Sequence, residues 1–352
     1  MRTDIHDNTG DTKLVVPLKY DITSYGADFL VDGLVRRLRA QDIFVPHFQR
    51  KYVWSHRQAS RFIESLLLGL PVPGIFLSKD FDTEKLFVID GQQRLTTLRY
   101  FYDGIFEATG REFSIRGVQE QYEGMTYRTL REEDRRRLDD SIIHATIVRQ
   151  DTPPEDDSSI YYIFERINTG GTPLSPQEIR ASVYHGPFID LLKELNSNEH
   201  WRDIFGPIHK RMKDQELILR FFAFYYFYNR YQRPLKEFLN RYIAANRRLQ
   251  RQSANELTHL FGTTIELTNQ TLGSRAFRPE KVFNAAVFDA VMVGVTKRLS
   301  RGAINDISGF AKQYDELLNN ETFQDAVLTG TSDEKRVRTR MDLAERYFAD
   351  IA

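Results

Sequence analysis

The sequence has no cysteine. That removes disulfides, thiolate metal sites and cysteine nucleophiles, and it fits a reducing compartment. There is no run of about 18 apolar residues, and the opening Met1-Arg2-Thr3-Asp4-Ile5 lacks the apolar core of a secretory signal, so the expected location is the cytoplasm, away from any membrane. An excess of one charge is missing too, since 49 Lys and Arg stand against 49 Asp and Glu. The whole chain exerts no net pull on nucleic acid, and any such contact has to come from local patches. No Gly-x-x-x-x-Gly-Lys-Ser/Thr run occurs, which excludes P-loop chemistry, and no metal-ligating set is expected. No internal repeat is evident.

What is present is enough apolar and aromatic material for large cores: 41% hydrophobic residues, with 25 Phe and 17 Tyr in 352 residues. That length suits two segments. Residues 1–17 are polar and expected to be loose. Leu18–Ile22 reads as a short strand, and Phe29, Leu30, Leu34 and Leu38 recur at helical spacing. Ile43–Pro46 is extended, and Ser55 is placed to cap a helix carrying Phe62, Ile63, Leu66 and Leu67. Ile75–Leu77 and Leu86–Ile89 read as a hairpin, followed by a helix with Leu95, Leu98, Phe101 and Tyr102 on one face. The charged run Arg131–Asp140 reads as a solvated helix before a strand at Ile142–Val148.

The prolines and acids of Asp151–Asp157 mark the expected domain boundary. Beyond it helical patterns dominate, at Ile160–Ile167, Pro176–Tyr184, Leu217–Tyr231, Leu235–Gln250, Ala254–Leu272, Lys281–Leu299 and Lys335–Phe348. The expected architecture is α+β over residues 18–150, joined to a mostly α-helical domain over residues 155–352.

Three short runs could carry chemistry. Asp90-Gly91-Gln92-Gln93-Arg94 lies between a buried strand and a helix start, where backbone N–H groups and the positive end of the helix dipole face an anion. Gly91 permits close backbone approach, and Arg94 can fork onto phosphate oxygens. The same pattern equally describes a polar turn with Arg94 on a nearby carboxylate. Pro46–Trp54 mixes Gln49 and Arg50 with Tyr52 and Trp54, suited to base stacking and phosphate contact, or simply to packing under the loop. Phe164–Ser175 stops a helix near Asn168, passes Gly170 and Gly171, and restarts one with Ser175 as N-cap before Pro176; a well-made helix–loop–helix link would need the same residues.

In this order and spacing, FQRKYVW, IDGQQRLTTL and FERINTGGTPLSPQEIR resemble the domain-of-unknown-function 262 family, which includes the specificity half of GmrSD-type restriction enzymes. The likeness is close over about residues 25–185 and looser to VRTRMDLA near the C-terminus. It implies a ParB/sulfiredoxin-like N-terminal domain that binds and hydrolyses a nucleoside triphosphate, with Mg²⁺ arriving on the nucleotide and touching Asp90 or Glu165, coupled to recognition of modified phage DNA. Carried over by position, Asp90, Gln93 and Arg94 take the catalytic roles. Gly91, Gln92, Gln49, Arg50 and Tyr52 line the nucleotide cleft, and Arg166, Asn168, Thr169, Gly170 and Gly171 close it from the helical side. Longer members of that family, or their partners, carry an HNH-type nuclease, whereas the eight His here form no such motif; His185-Gly186-Pro187 is only superficially suggestive, and His200 and His209 are expected to lack the acidic or Asn partners that a metal-dependent nuclease needs. An HNH-type nuclease or another defence subunit acting in trans is the implied partner, and a homodimer is left open. The rival reading is a non-hydrolysing DNA-binding or adaptor protein.

Two other features have plainer explanations. The aromatic run from Phe221 to Tyr231 reads as a buried central helix rather than a stacking platform. Arg241, Arg247, Arg248 and Arg251, and Lys335, Arg336, Arg338 and Arg340, read as solvated faces or as phosphate contacts.

Overall fold

A computed structural model describes residues 5–7, 21–45, 52–80, 83–152, 158–167 and 174–352. The chain divides into two compact units, Lys19–Leu174 and a second formed by Met1–Leu18 together with Ser175–Ala352. The first strand of the chain, β1 (Ile5–His6), belongs to the second unit.

The first unit is α+β. In chain order it contains β2 (Asp21–Leu30), α1 (Val31–Arg39), β3 (Ile43–Phe44), α2 (His56–Leu67), β4 (Ile75–Lys79), β5 (Leu86–Asp90), α3 (Gln92–Asp103), β6 (Ile105–Phe106), β7 (Arg111–Glu112), α4 (Glu132–Asp139), β8 (Ile142–Thr152) and α5 (Ser158–Ile167). Five strands form a mixed sheet in the order β2-β8-β4-β5-β3. β2 is antiparallel to β8 and β4 to β5, whereas β8 runs parallel to β4 and β5 to β3. The expected hairpin is β4 and β5, with Leu77 opposite Val88.

One face of this sheet is covered by α1, α2 and α3, whose Leu34, Val35, Ile63, Leu66, Leu95, Leu98 and Phe101 join Leu77, Val88 and Ile147 in one core. β5 is buried on both faces apart from Asp90, and α5 packs against β5 and β8. A strand this enclosed needs an apolar residue at every position, which Leu86-Phe87-Val88-Ile89 supplies. The capping box expected at Ser55 is present, its hydroxyl accepting from the Gln58 N–H at 3.3 Å.

Several boundaries differ from the sequence expectation. Phe29 and Leu30 end β2 instead of starting a helix, because they pair with Ile143 and Ile142 of β8. β8 in turn runs on to Thr152, into the stretch expected to separate the domains, and the division between units falls after Leu174.

The second unit is helical: α6 (Pro176–Val183), α7 (Pro187–Leu195), α8 (Glu199–Phe205), α9 (Lys213–Phe227), α10 (Leu235–Asn246), α11 (Ala254–Leu272), then β9 (Phe283–Asn284), α12 (Ala285–Leu299), α13 (Ile307–Asn319), α14 (Glu321–Leu328) and α15 (Glu334–Phe348). α12 is buried on every side from Ala285 to Thr296 and packs on α9 and α15. Phe221, Phe222 and Phe224 of α9 are fully buried, as expected of a central helix, but its end from Tyr225 to Phe227 is half-buried.

Residues 5–7 correct the expectation of a loose N-terminus. β1 pairs in parallel with β9, Ile5 opposite Phe283, and the Asp7 carboxylate takes hydrogen bonds from Arg220 at 2.8 Å and Lys213 at 3.4 Å. Arg220 also forks onto Asp289 at 3.0 and 2.6 Å, and Asp289 meets Arg340 at 3.3 Å. Arg340 is therefore a core residue, not part of a solvated basic face.

Candidate functional site

The Asp90–Arg94 loop forms where β5 ends and α3 begins. Gly91 is the N-cap of α3 with φ 101°, a left-handed conformation that costs an L side chain dearly, and α3 has no side-chain cap. A Cβ at Gly91 would lie 2.4 Å from Ile75 Cγ2, so the backbone turns tightly against β4 as well. Gly91 itself thus offers no capping side chain to the first turn of α3, at the positive end of the helix.

Arg94 folds back beneath this turn. Its Nη2 donates to the Gly74 carbonyl at 2.9 Å and to Asp90 Oδ2 at 2.7 Å, while its Nε is buried without a partner. The arginine is mostly enclosed, at 14% side-chain exposure, whereas Asp90 is 53% exposed. The pair is the carboxylate contact that the plainer reading of the motif anticipated.

Gln93 fastens a neighbouring segment. Its Oε1 accepts from the backbone N–H groups of Val53 at 2.9 Å and Trp54 at 3.2 Å. One helical turn on, the Thr97 hydroxyl donates to the Gln93 carbonyl and lies 2.7 Å from the Tyr52 hydroxyl. The Tyr52 ring meets Tyr100 at 5.0 Å and Phe106 at 5.5 Å, and Trp54 meets Phe62 at 5.6 Å. Burial pushes the Tyr52 hydroxyl up to about 12 against the lowering effect of Thr97. Both aromatics are partly buried and packed on the core, which favours the packing reading over a base-stacking wall.

The structure therefore brings Asp90, Gly91, Gln93, Arg94 and Tyr52 together, with Gln92 on the first turn of α3. Arg166 is exposed in the last turn of α5. Gln49, Arg50, Asn168, Thr169, Gly170 and Gly171 lie outside the described residues. Ser175 caps α6 as expected, in a reciprocal box with Glu178. Sequence reading missed Gly74, Ile75 and Thr97. The spacing of Gln93, Thr97 and Tyr100, at i, i+4 and i+7, was the available signal, since it puts all three on one helix face.

Among the described residues no group of three or more His, Asp or Glu is arranged to hold a metal ion, and no helix is long and apolar enough to cross a membrane. His185 Nδ1 lies 3.0 Å from Arg247, and burial lowers His209 despite the nearby Asp214.

Residues 31–185 match the family model of the GmrSD restriction endonuclease, N-terminal domain. The match covers β3, β4, β5 and β8 of the sheet but not β2, together with the Asp90–Arg94 loop and the first residues of the helical unit, and less than half of the chain. It supports the GmrSD-type resemblance and associates this segment with restriction systems. No curated protein matches the chain.

Proposed function

We propose that this chain is the nucleotide-dependent, DNA-sensing subunit of a modification-dependent restriction system, with a nucleoside triphosphate held at the Asp90–Arg94 loop. The observation that carries the reading is the left-handed Gly91 cap, which offers the start of α3 no side chain of its own and stands beside a mostly enclosed arginine whose Nε has no partner. Anions are stabilised at such a helix start, and an orphaned Arg94 Nε suits a further acceptor. The residues fit a phosphate: backbone N–H groups at the start of α3 would bind it and Arg94 would orient it. A bound triphosphate with Mg²⁺ supplies a cleavable phosphoanhydride whose hydrolysis can switch the protein between two states.

Arg94 is already paired, so anion binding competes with Asp90 for Nη2. Exchange of Asp90 for phosphate would release a half-exposed carboxylate beside the nucleotide, able to orient water or to meet Mg²⁺. Gln93 would act as a positioning residue, keeping the Val53–Trp54 segment against α3 while the loop exchanges partners. A ParB-like ancestry for the first unit, a homodimer and a nuclease acting in trans on modified DNA belong to the same reading.

Isothermal calorimetry of the whole chain with ATP and GTP, each with Mg²⁺, tests it directly. Binding of at least one, lost in Arg94→Ala, is the expected result. No heat with any common triphosphate overturns it in favour of an adaptor that never uses a nucleotide.

A further inference from the structure

The helical unit carries a second place where chemistry is concentrated. Phe227 at the end of α9, Arg230 in the short turn after it, Phe238, Arg241, Tyr242 and Ala245 of α10, and Arg251 line a cavity of about 190 Å³. The α10 residues stand at i, i+3, i+4 and i+7 and so form one stripe along the helix. Phe238 and Tyr242 are buried at 5% exposure each, and Phe227 meets Tyr242 at 6.0 Å, giving an aromatic floor. Asn246 holds the far rim, its Oδ1 accepting from the backbone N–H of Arg251 at 3.2 Å.

The rim is cationic and unneutralised. Arg230, Arg241 and Arg251 are exposed, and among the described residues none makes an ion pair or a side-chain hydrogen bond. The nearby carboxylate, Glu256, is engaged by the Tyr226 hydroxyl. Exposed arginines that pair with no carboxylate, set around an aromatic floor, are suited to a ligand with one flat ring and several negative charges outside it.

Size narrows the class. A cavity of about 190 Å³ holds roughly six waters' worth of volume, below the ~300 Å³ at which pockets for whole small ligands begin. It takes one ring and leaves the rest of the ligand on the rim. Three separate arginines around one ring are more than a single phosphate needs, but a nucleic-acid strand carries a phosphate on both sides of every base.

We propose that this cavity receives one unstacked base of single-stranded DNA, with Arg230, Arg241 and Arg251 on the flanking phosphates. The inference deepens the DNA-contact part of the function proposed above and does not rest on its nucleotide part. Stacking on aromatic side chains with arginines along the backbone binds single strands without regard to sequence.

The test is fluorescence anisotropy of the full chain with a short labelled oligothymidine strand, beside the same strand in duplex form. The single strand should bind more tightly than the duplex. Arg241→Glu and Arg251→Glu, both at exposed positions, should each weaken it by about tenfold or more near 0.1 M salt. Each alanine counterpart should lower the slope of log affinity against log salt by about 0.7. Ultraviolet cross-links should map to the peptides containing Phe227 or Tyr242. Unchanged affinity in both charge reversals, or cross-links confined elsewhere, overturns the proposal. So does equal competition by thymidine monophosphate, which would make this a free-nucleotide pocket, or displacement by an acidic tyrosine-rich peptide with no oligothymidine binding. ATP calorimetry on the same variants separates the two readings: loss of strand binding with ATP binding intact assigns the effect to this cavity, whereas Arg94→Ala should do the reverse.

Discussion

The side-chain oxygen of Gln93 lies 2.9 Å from the backbone nitrogen of Val53, forty residues earlier in the chain. A single amide on α3 thereby fixes a segment that has no regular structure of its own, and it does so from inside the loop proposed to bind phosphate. Gln93→Glu keeps an acceptor at this position, whereas Gln93→Ala leaves the Val53 and Trp54 N–H groups to solvent. The alanine variant should lose about 1–2 kcal/mol of stability, and the glutamate variant less. Hydrogen exchange at residues 52–54 should rise in Gln93→Ala alone; equal protection in both variants would show that the amide does not hold the segment.

Asp90 and Arg94 should separate binding from turnover. Asp90→Asn leaves Arg94 more available, so triphosphate affinity should be kept or rise while phosphate release falls by at least about tenfold, the usual scale for losing a group that orients water. Arg94→Ala should abolish binding and also cost about 1–2 kcal/mol, because the Gly74 carbonyl loses its donor. Calorimetry and a phosphate-release assay read the two effects; faster turnover in Asp90→Asn would remove Asp90 from the chemistry.

Tyr52 distinguishes packing from recognition. Tyr52→Phe keeps the ring contacts with Tyr100 and Phe106 and should cost only about 0.5–1.5 kcal/mol for the lost bond to Thr97. Tyr52→Ala should cost about 2–4 kcal/mol, somewhat below the loss for a fully enclosed aromatic. Denaturant melts give these numbers, and a Tyr52→Ala variant of parental stability but altered DNA affinity would restore the stacking role.

The helical unit should be acid-sensitive through Asp7. Burial by itself would raise this carboxyl, but the Arg220 and Lys213 charges outweigh burial and lower it from its ordinary 3.8 to about 2. A carboxyl lowered on folding stabilises the protein above its unfolded value and loses that contribution as pH falls through the folded one. Roughly 2 kcal/mol should therefore disappear between about pH 4 and about pH 2. Asp7→Asn should melt lower than the parent at neutral pH, and the two should converge as pH falls through that window. Parallel curves across it would mean that the pair contributes nothing.

Much of the candidate site was legible in the sequence because its determinants are local. The four-residue apolar run before Asp90, the glycine at the turn and the single-face pattern of Leu95, Leu98 and Phe101 fix strand, cap and helix within about fifteen residues. The state of Arg94 was not legible, because its partner at Gly74 arrives through the β4–β5 pairing. β2 was misread for the same reason. Phe29 and Leu30 fit a helical spacing, and only pairing with Ile142 and Ile143, more than a hundred residues away, makes them strand. Arg340 looks like a helix-surface cation until Asp289 is found beside it, shared with Arg220.

The pairing of Ile5 with Phe283 bears on synthesis as well as on stability. At about 5–20 residues per second, the two segments leave a ribosome roughly 15–60 s apart, and the sheet-bearing unit is made entirely in between. That unit can assemble while its own contacts are still close along the nascent chain. The early segment at residues 5–7 must wait, its carboxylate and its strand edge unmatched, until α9 and then β9 emerge. Any delay late in translation therefore prolongs the exposure of this early segment, so a chaperone or protease acting on a stalled product should meet residues 5–7 still undocked.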